Sequence, residues 1–149
     1  MTEPTNAAWR ALVAKHVEEF RSSHGTVGGR LRGSRVLLLT TTGARTGRPR
    51  MVALIYFTVD GHMIVVGSKG GAAKDPGWVH NLRAHPRAHV EVDTADYDVA
   101  ARELPASERH CAFREVVLQE PRFAEYQDKT ERVIPLFELR RVDTAKTRC

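Results

Sequence analysis

The chain has 149 residues, 42% of them hydrophobic and 28% charged, the composition of one ordinary globular domain and not of a disordered or fibrous chain. Its formal net charge of +5 is unevenly spread: no Asp or Glu falls between Phe20 and Val59, whereas Arg21, Arg30, Arg32, Arg35, Arg45, Arg48 and Arg50 do. A positive field of that kind either attracts an anion or serves as a solubilising face, and no stretch approaches the ~20 apolar residues that a membrane-spanning helix needs.

Residues Ala7 to Phe20 place Trp9, Leu12, Val13, Val17 and Phe20 at helical spacing, with Arg10, Lys15, Glu18 and Glu19 largely on the other side. This predicts an amphipathic helix that packs on the rest of the fold, closes over a pocket or touches a membrane surface. A basic connector punctuated by Gly25, Gly28, Gly29 and Gly33 follows, so 1–33 is read as a tethered N-terminal segment. Val36 to Thr42 reads as a buried strand, Gly43 to Pro49 as a turn, and Met51 to Val59 as a second strand. Asp60-Gly61 is a two-residue hairpin signal leading into a third strand, His62 to Gly67. Asp75 is suited to cap a short helix that opens on Pro76 and runs through Leu82.

Beyond His85-Pro86, two further strands are expected at His89 to Val92 and Tyr97 to Glu103, joined across Asp93 to Asp96. Helices at Ser107 to Leu118 and Arg122 to Arg132 come next. A last strand, Ile134 to Leu139, precedes a polar tail, 141–149. Six short strands with interspersed helices and no βαβ alternation point to an α+β fold, a mostly antiparallel six-stranded barrel with flanking helices over 34–140. Cys111 and Cys149 lie far apart, so no structural disulfide is expected, and a cytoplasmic location is the simplest placement.

Two segments could bind anions. In Thr40-Thr41-Thr42-Gly43-Ala44-Arg45-Thr46-Gly47-Arg48-Pro49-Arg50, glycines allow a tight turn, and the arginines offer planar forks that match phosphate oxygens. The same residues would also serve as a plain basic hairpin loop, and the Walker A spacing is absent. In Gly67-Ser68-Lys69-Gly70-Gly71-Ala72-Ala73-Lys74-Asp75-Pro76, a strand crosses a diglycine into a helix N-terminus, whose free N–H groups and dipole favour negative charge. A simple strand-to-helix connector is the rival reading. His80, His85 and His89 match no zinc spacing. The aromatic fraction of 7% and the lack of any nucleic-acid-binding motif argue against DNA or RNA as a partner.

Taken in order, Thr-Thr-Thr-Gly-x-Arg-Thr-Gly-x-Pro-Arg, then Ser-Lys-Gly-Gly-Ala-x-Lys-x-Pro-x-Trp, then Asn81-Leu82 and His85-Pro86, the segments resemble the deazaflavin-dependent nitroreductase family. Tyr126-Gln127, Thr130 and Ile134-Pro135 look like the same family's C-terminal signature, and the likeness runs from about Val36 to Phe137. The resemblance implies a split β-barrel of the FMN-binding type. Its cofactor is F-420, a deazaflavin with a ribityl phosphate, a lactyl linker and a polyglutamate tail, and FMN is the alternative. It also implies a reductase that passes the cofactor's hydride to a quinone, an activated C=C bond or a nitro compound.

By similarity, Arg45, Thr46, Arg48 and Arg50 hold the phosphate region, and Lys69 and Lys74 attend the charged tail. Ser68, Gly70, Gly71, Trp78 and Asn81 line the route between ring and tail, Val52 and Ala53 lie near the ring, and Pro49, Gly67, Pro76 and Val79 are further cofactor-binding positions. Glu120, Phe123 and Tyr126 face the substrate, with Tyr126 and Ser68 as candidate catalytic groups. Where nitroimidazole-reducing members carry Asn-Pro, this chain has Val52-Ala53, and one phenol of a tyrosine-rich pattern remains. Quinones and enones are therefore the expected acceptors.

Overall fold

The computed structural model describes residues 35–142, together with the single position Glu18. The expected N-terminal helix, the basic connector and the tail from residue 143 lie outside the described residues. The elements are β1 (Val36–Thr42), β2 (Pro49–Val59), β3 (His62–Val66), a 3-10 turn (Lys69–Gly71), α1 (Gly77–Ala84), β4 (Arg87–Val92), β5 (Ala95–Glu103), α2 (Ala106–Gln119), α3 (Arg122–Asp128) and β6 (Leu136–Arg141). The strands close into an antiparallel barrel in the order β1-β2-β3-β6-β5-β4, with β4 returning to β1.

Tight turns set the registers. Asp60 and Gly61, with φ of 51° and 78°, make the predicted two-residue hairpin between β2 and β3. A second hairpin is tighter than the sequence implies, because Ala95 and Asp96 already pair with Val92 and Glu91, so β4 and β5 are joined across Asp93, at φ 53°, and Thr94.

Side chains alternate between two apolar layers. Leu37, Leu39, Tyr56, Val65, Val90, Val99, Phe137 and Leu139 fill the barrel, and α1 seals it with Trp78, Val79 and Leu82. Trp78 meets Phe137 edge-on at 5.7 Å. On the outside, Phe57, Ile64, Val66 and Leu136 pack against Ala112 and Val116 of α2 and Phe123 of α3. Each large side chain so buried contributes about 1.5–3 kcal/mol, and the barrel thereby becomes a rigid frame for its connecting loops.

Several boundaries differ from expectation, most by a residue or two, and at three of them the structure shows where the chain goes instead. Asp75 does not cap α1: Pro76 occupies that position without a side-chain cap, and the Asp75 carboxylate turns to Arg132 and Arg83. α3 stops at Asp128, since the Gln127 side chain captures the backbone at Arg132 and Ile134. The last strand starts at Leu136, two residues late, and runs on through Arg141 into the expected tail.

Candidate functional site

The β1–β2 connection folds on itself through backbone bonds from Gly43 N–H to the Arg48 carbonyl (2.8 Å) and from Gly47 N–H to the Gly43 carbonyl (2.9 Å). Gly47 has φ 69°, a left-handed conformation that suits glycine. Thr46 braces the turn by accepting the Arg48 N–H at 3.2 Å. Arg45, Thr46, Arg48, Pro49 and Arg50 are all exposed. Among the described residues, no carboxylate pairs with the guanidinium of Arg45, Arg48 or Arg50, whereas Arg83, Arg102 and Arg132 are each matched by acids. The turn is anchored from α1: the Asn81 carboxamide accepts the Ala44 N–H at 2.9 Å and donates to the Thr41 hydroxyl at 3.0 Å.

The second corner leaves β3 at Gly67, whose N–H donates to the Pro135 carbonyl at 2.8 Å. A Cβ at Gly67 would lie 2.8 Å from Val79 and 2.9 Å from Pro135. Ser68 is 7% exposed and right-handed, and Lys69, Gly70 and Gly71 follow with φ of 45°, 64° and 85°. A right-handed residue followed by a left-handed one turns successive N–H groups toward one concavity, the arrangement of backbone anion sites. The close approach at Gly71 is taken by the protein itself, since a Cβ there would meet the Tyr126 carbonyl at 2.8 Å. Lys69 and Lys74 are exposed on this corner.

Arg132, which the sequence reading did not single out, organises the loop. Its Nε donates to the Ala72 carbonyl (2.9 Å), its Nη2 to the Ser68 carbonyl (3.0 Å), and its Nη1 to Asp75 Oδ1 (2.6 Å). Asp75 passes the chain of charge to Arg83, which holds Glu103 with two bonds of 2.8 Å. That hydrogen bond from Arg83 keeps the Glu103 carboxyl below its usual range, and the same bond raises Arg83. No local motif signals Arg132, because its partners lie 57 to 64 residues away. Gln127, part of the C-terminal signature, has a similar role: its carbonyl oxygen accepts from Ile134 N–H (3.0 Å) and Arg109 (2.8 Å), and its amide donates to the Arg132 carbonyl (2.8 Å).

Both corners therefore adjoin α1. The second runs into its first turn, and the first is tied to Asn81, five residues or about 7.5 Å of helix rise beyond Pro76. Pro76, Trp78 and Val79 are buried, the last two within the barrel core. Val52 and Ala53 face opposite ways: Val52 joins the interior layer, and Ala53 lies outside with Val36 and Leu38. Tyr126 is half-buried beside the glycine corner, its ring 5.1 Å from that of Phe123 and 5.9 Å from Lys129 Nζ. Phe123 itself is 5% exposed and edge-on to Phe57 at 5.2 Å, and Glu120 pairs with Arg122 at 3.2 Å.

A cavity of about 550 Å³ elsewhere, between β3, β5, β6 and α2, touches neither corner. Its buried Glu138 is met by Arg102, Arg140 and His62. His89 is held between Asp96 and Asp98, and no cluster of metal-ligating residues occurs among the described residues. No described helix is long and apolar enough to cross a membrane.

Comparison with known proteins gives the family and the fold. Residues 12–141 match the family model described as F-420H2-dependent quinone reductase. An F-420H2-dependent quinone reductase of Mycobacterium tuberculosis is 34% identical over 134 residues, covering 87% of this chain and 90% of that protein. Among solved structures, an F-420-H2-dependent reductase (FDR-A) superposes with a TM-score of 0.63 at 40% identity, over 70% of this chain and 92% of the other. Another, described as a domain-swapped dimer, gives 0.65 at 34% identity over 91% and 99%.

Proposed function

The chain belongs to the F-420H2-dependent quinone reductase family, and we propose that its two glycine-bearing corners grip the cofactor's anionic arm while a quinone takes up the hydride. The enzyme is an oxidoreductase and its cofactor is F-420. One observation carries the placement: Arg45, Arg48 and Arg50 stand exposed on a turn fixed to α1, with no acidic partner among the described residues, whereas Arg83 and Arg132, which brace the neighbouring loop, are matched with carboxylates. Such a turn fits a phosphate, for which planar guanidinium forks are well shaped. Lys69 and Lys74, across α1, suit the carboxylates of a polyglutamate tail.

When bound, reduced F-420 supplies the hydride. The chain's own part is to bind, orient and exclude water. Asn81 and Arg132 hold the two corners at a fixed separation, which restricts the cofactor to one pose. Reduction of a quinone to a hydroquinone adds a proton along with the hydride. Tyr126, half-buried with its backbone carbonyl against Gly71, is the candidate to donate a hydrogen bond to the acceptor oxygen as charge builds on it. Ser68 lies at the same corner and is the second candidate donor. The reading includes a cytoplasmic location and acceptance by quinones or enones in preference to nitroimidazoles.

Titration with F-420, followed by cofactor fluorescence, should show saturable binding. Oxidation of the reduced cofactor should then be fastest with quinones in a panel that includes enones and nitro compounds. No binding at roughly 50 μM, equivalent to less than about 6 kcal/mol, would reject the proposal.

A further inference from the structure

The outer face of β1 and β2 is apolar where the outside of an antiparallel barrel is commonly polar. The register brings Val36 beside Ile55, Leu38 beside Ala53 and Thr40 beside Met51 on this face. Val36, Leu38 and Ala53 are 2%, 1% and 9% exposed, with Met51 and Ile55 packed around them. None of the described helices accounts for that burial. α2 and α3 cover the far end of β2, from Phe57 onward, and α1 meets β1 at the barrel mouth through Asn81 and Thr41.

We propose that residues 7–20 of the same chain dock on this face as an amphipathic helix, with Trp9, Leu12, Val13, Val17 and Phe20 turned inward. The stripe has the chemistry of the surface, apolar against apolar, and the 3.6-residue spacing that makes one continuous helix face. Chain length permits it. Residues 21–35 reach up to about 50 Å when extended, and β1, which they lead into, forms one half of the docking face itself. Charge at the margin agrees. Beside Leu38 the adjoining strand carries Glu91, while the segment carries Arg10 and Lys15 on its polar side. The patch is also continuous with the helix-covered layer, because Ile55 packs against both, so a docked segment would complete a sleeve of helices around β2.

The chain has two tryptophans, Trp9 and the buried Trp78, so Trp9 reports on docking once its emission is isolated by comparison with Trp9→Phe. In the full chain, acrylamide should quench Trp9 several-fold less than free tryptophan, and dilution by about a hundredfold should not change this, as expected for an intramolecular contact. Ala53→Asp should release Trp9 to free quenching while the cooperative unfolding transition persists. Should Ala53→Asp fail to fold, Met51→Lys at the half-exposed margin of the patch makes the same test. The proposal is overturned if Trp9 is as quenchable as free tryptophan in the wild type, or if protection survives both substitutions. It is equally overturned if protection is lost on dilution, which would make a second copy the occupant, or if it arises only with anionic phospholipid vesicles, which would make a membrane the occupant.

Discussion

Replacing Arg132 with Leu removes three bonds from the glycine corner at once, those to the carbonyls of Ala72 and Ser68 and to the carboxylate of Asp75. Hydrogen bonds to a charged group contribute about 1.5–3 kcal/mol each, but here they do not simply add. The Ser68 carbonyl keeps the Gly71 N–H, and Asp75 keeps Arg83. Arg132 and Asp75 have side chains only 15% and 16% exposed, so loss of the cation leaves a poorly hydrated carboxylate, for which removal of one partner costs about 3–5 kcal/mol. An expected destabilisation of about 3–4 kcal/mol follows, large against a total of about 5–15 kcal/mol for a domain of this size. Arg132→Lys, which retains the charge but loses the fork, should recover less than half of it. Urea unfolding of the three proteins reads the stability, and F-420 titration of the folded fraction reads the loop. If Arg132→Leu unfolds within about 0.5 kcal/mol of the wild type, Arg132 does not hold the corner.

Asn81→Leu removes both anchors of the arginine turn and should cost about 1–2 kcal/mol of stability together with a loss of F-420 affinity, whereas a surface change such as His80→Gln should alter neither; calorimetry and cofactor titration check this. Gly71→Ala forces a Cβ to within 2.8 Å of the Tyr126 carbonyl at a φ of 85°, and a destabilisation of about 1–3 kcal/mol should appear in urea unfolding. His89 has its Nδ1 2.8 Å from Asp98 and its Nε2 3.0 Å from Asp96, contacts that favour the imidazolium, and the Asp98 hydrogen bond above all raises its pKa. Its contribution is therefore full below about pH 6.5, the ordinary histidine value, and is lost as pH rises through the elevated folded value. The stability advantage of wild type over His89→Gln should shrink in that direction, and NMR titration of the ring should give a midpoint above the ordinary one.

The barrel was legible because its strands are short, mostly apolar runs separated by turn residues with a fixed geometry, Asp60-Gly61 above all. The helix covering the barrel end was legible from Pro76 and the Trp78 to Leu82 spacing. Misjudged details share one cause. A residue with a good local role took another partner instead: Asp75 left the cap position for Arg132, 57 residues on, and the Gln127 side chain, from the last turn of α3, holds the backbone of Arg132 and Ile134 where the helix was expected to continue. Within the candidate site, the two anion corners were visible as composition, but their convergence on α1 was not. That depends on Asn81 reaching Ala44 across 37 residues, a relation that no local pattern encodes. Val52 and Ala53, adjacent in sequence, could not both face one ligand, since a strand sends neighbours to opposite sides.

The division of labour between the corners can be tested by measuring the affinities of wild type, Arg50→Ala and Lys74→Ala for F-420 and for its deazaflavin riboside, which lacks the phosphate, lactyl and glutamate groups. Arg50→Ala should weaken F-420 binding by about 1.5–3 kcal/mol, Lys74→Ala should weaken it by a smaller, salt-sensitive amount, and neither should change the affinity for the riboside. Equal losses for both ligands, or no loss for either, would contradict the placement of the anionic arm across these two corners.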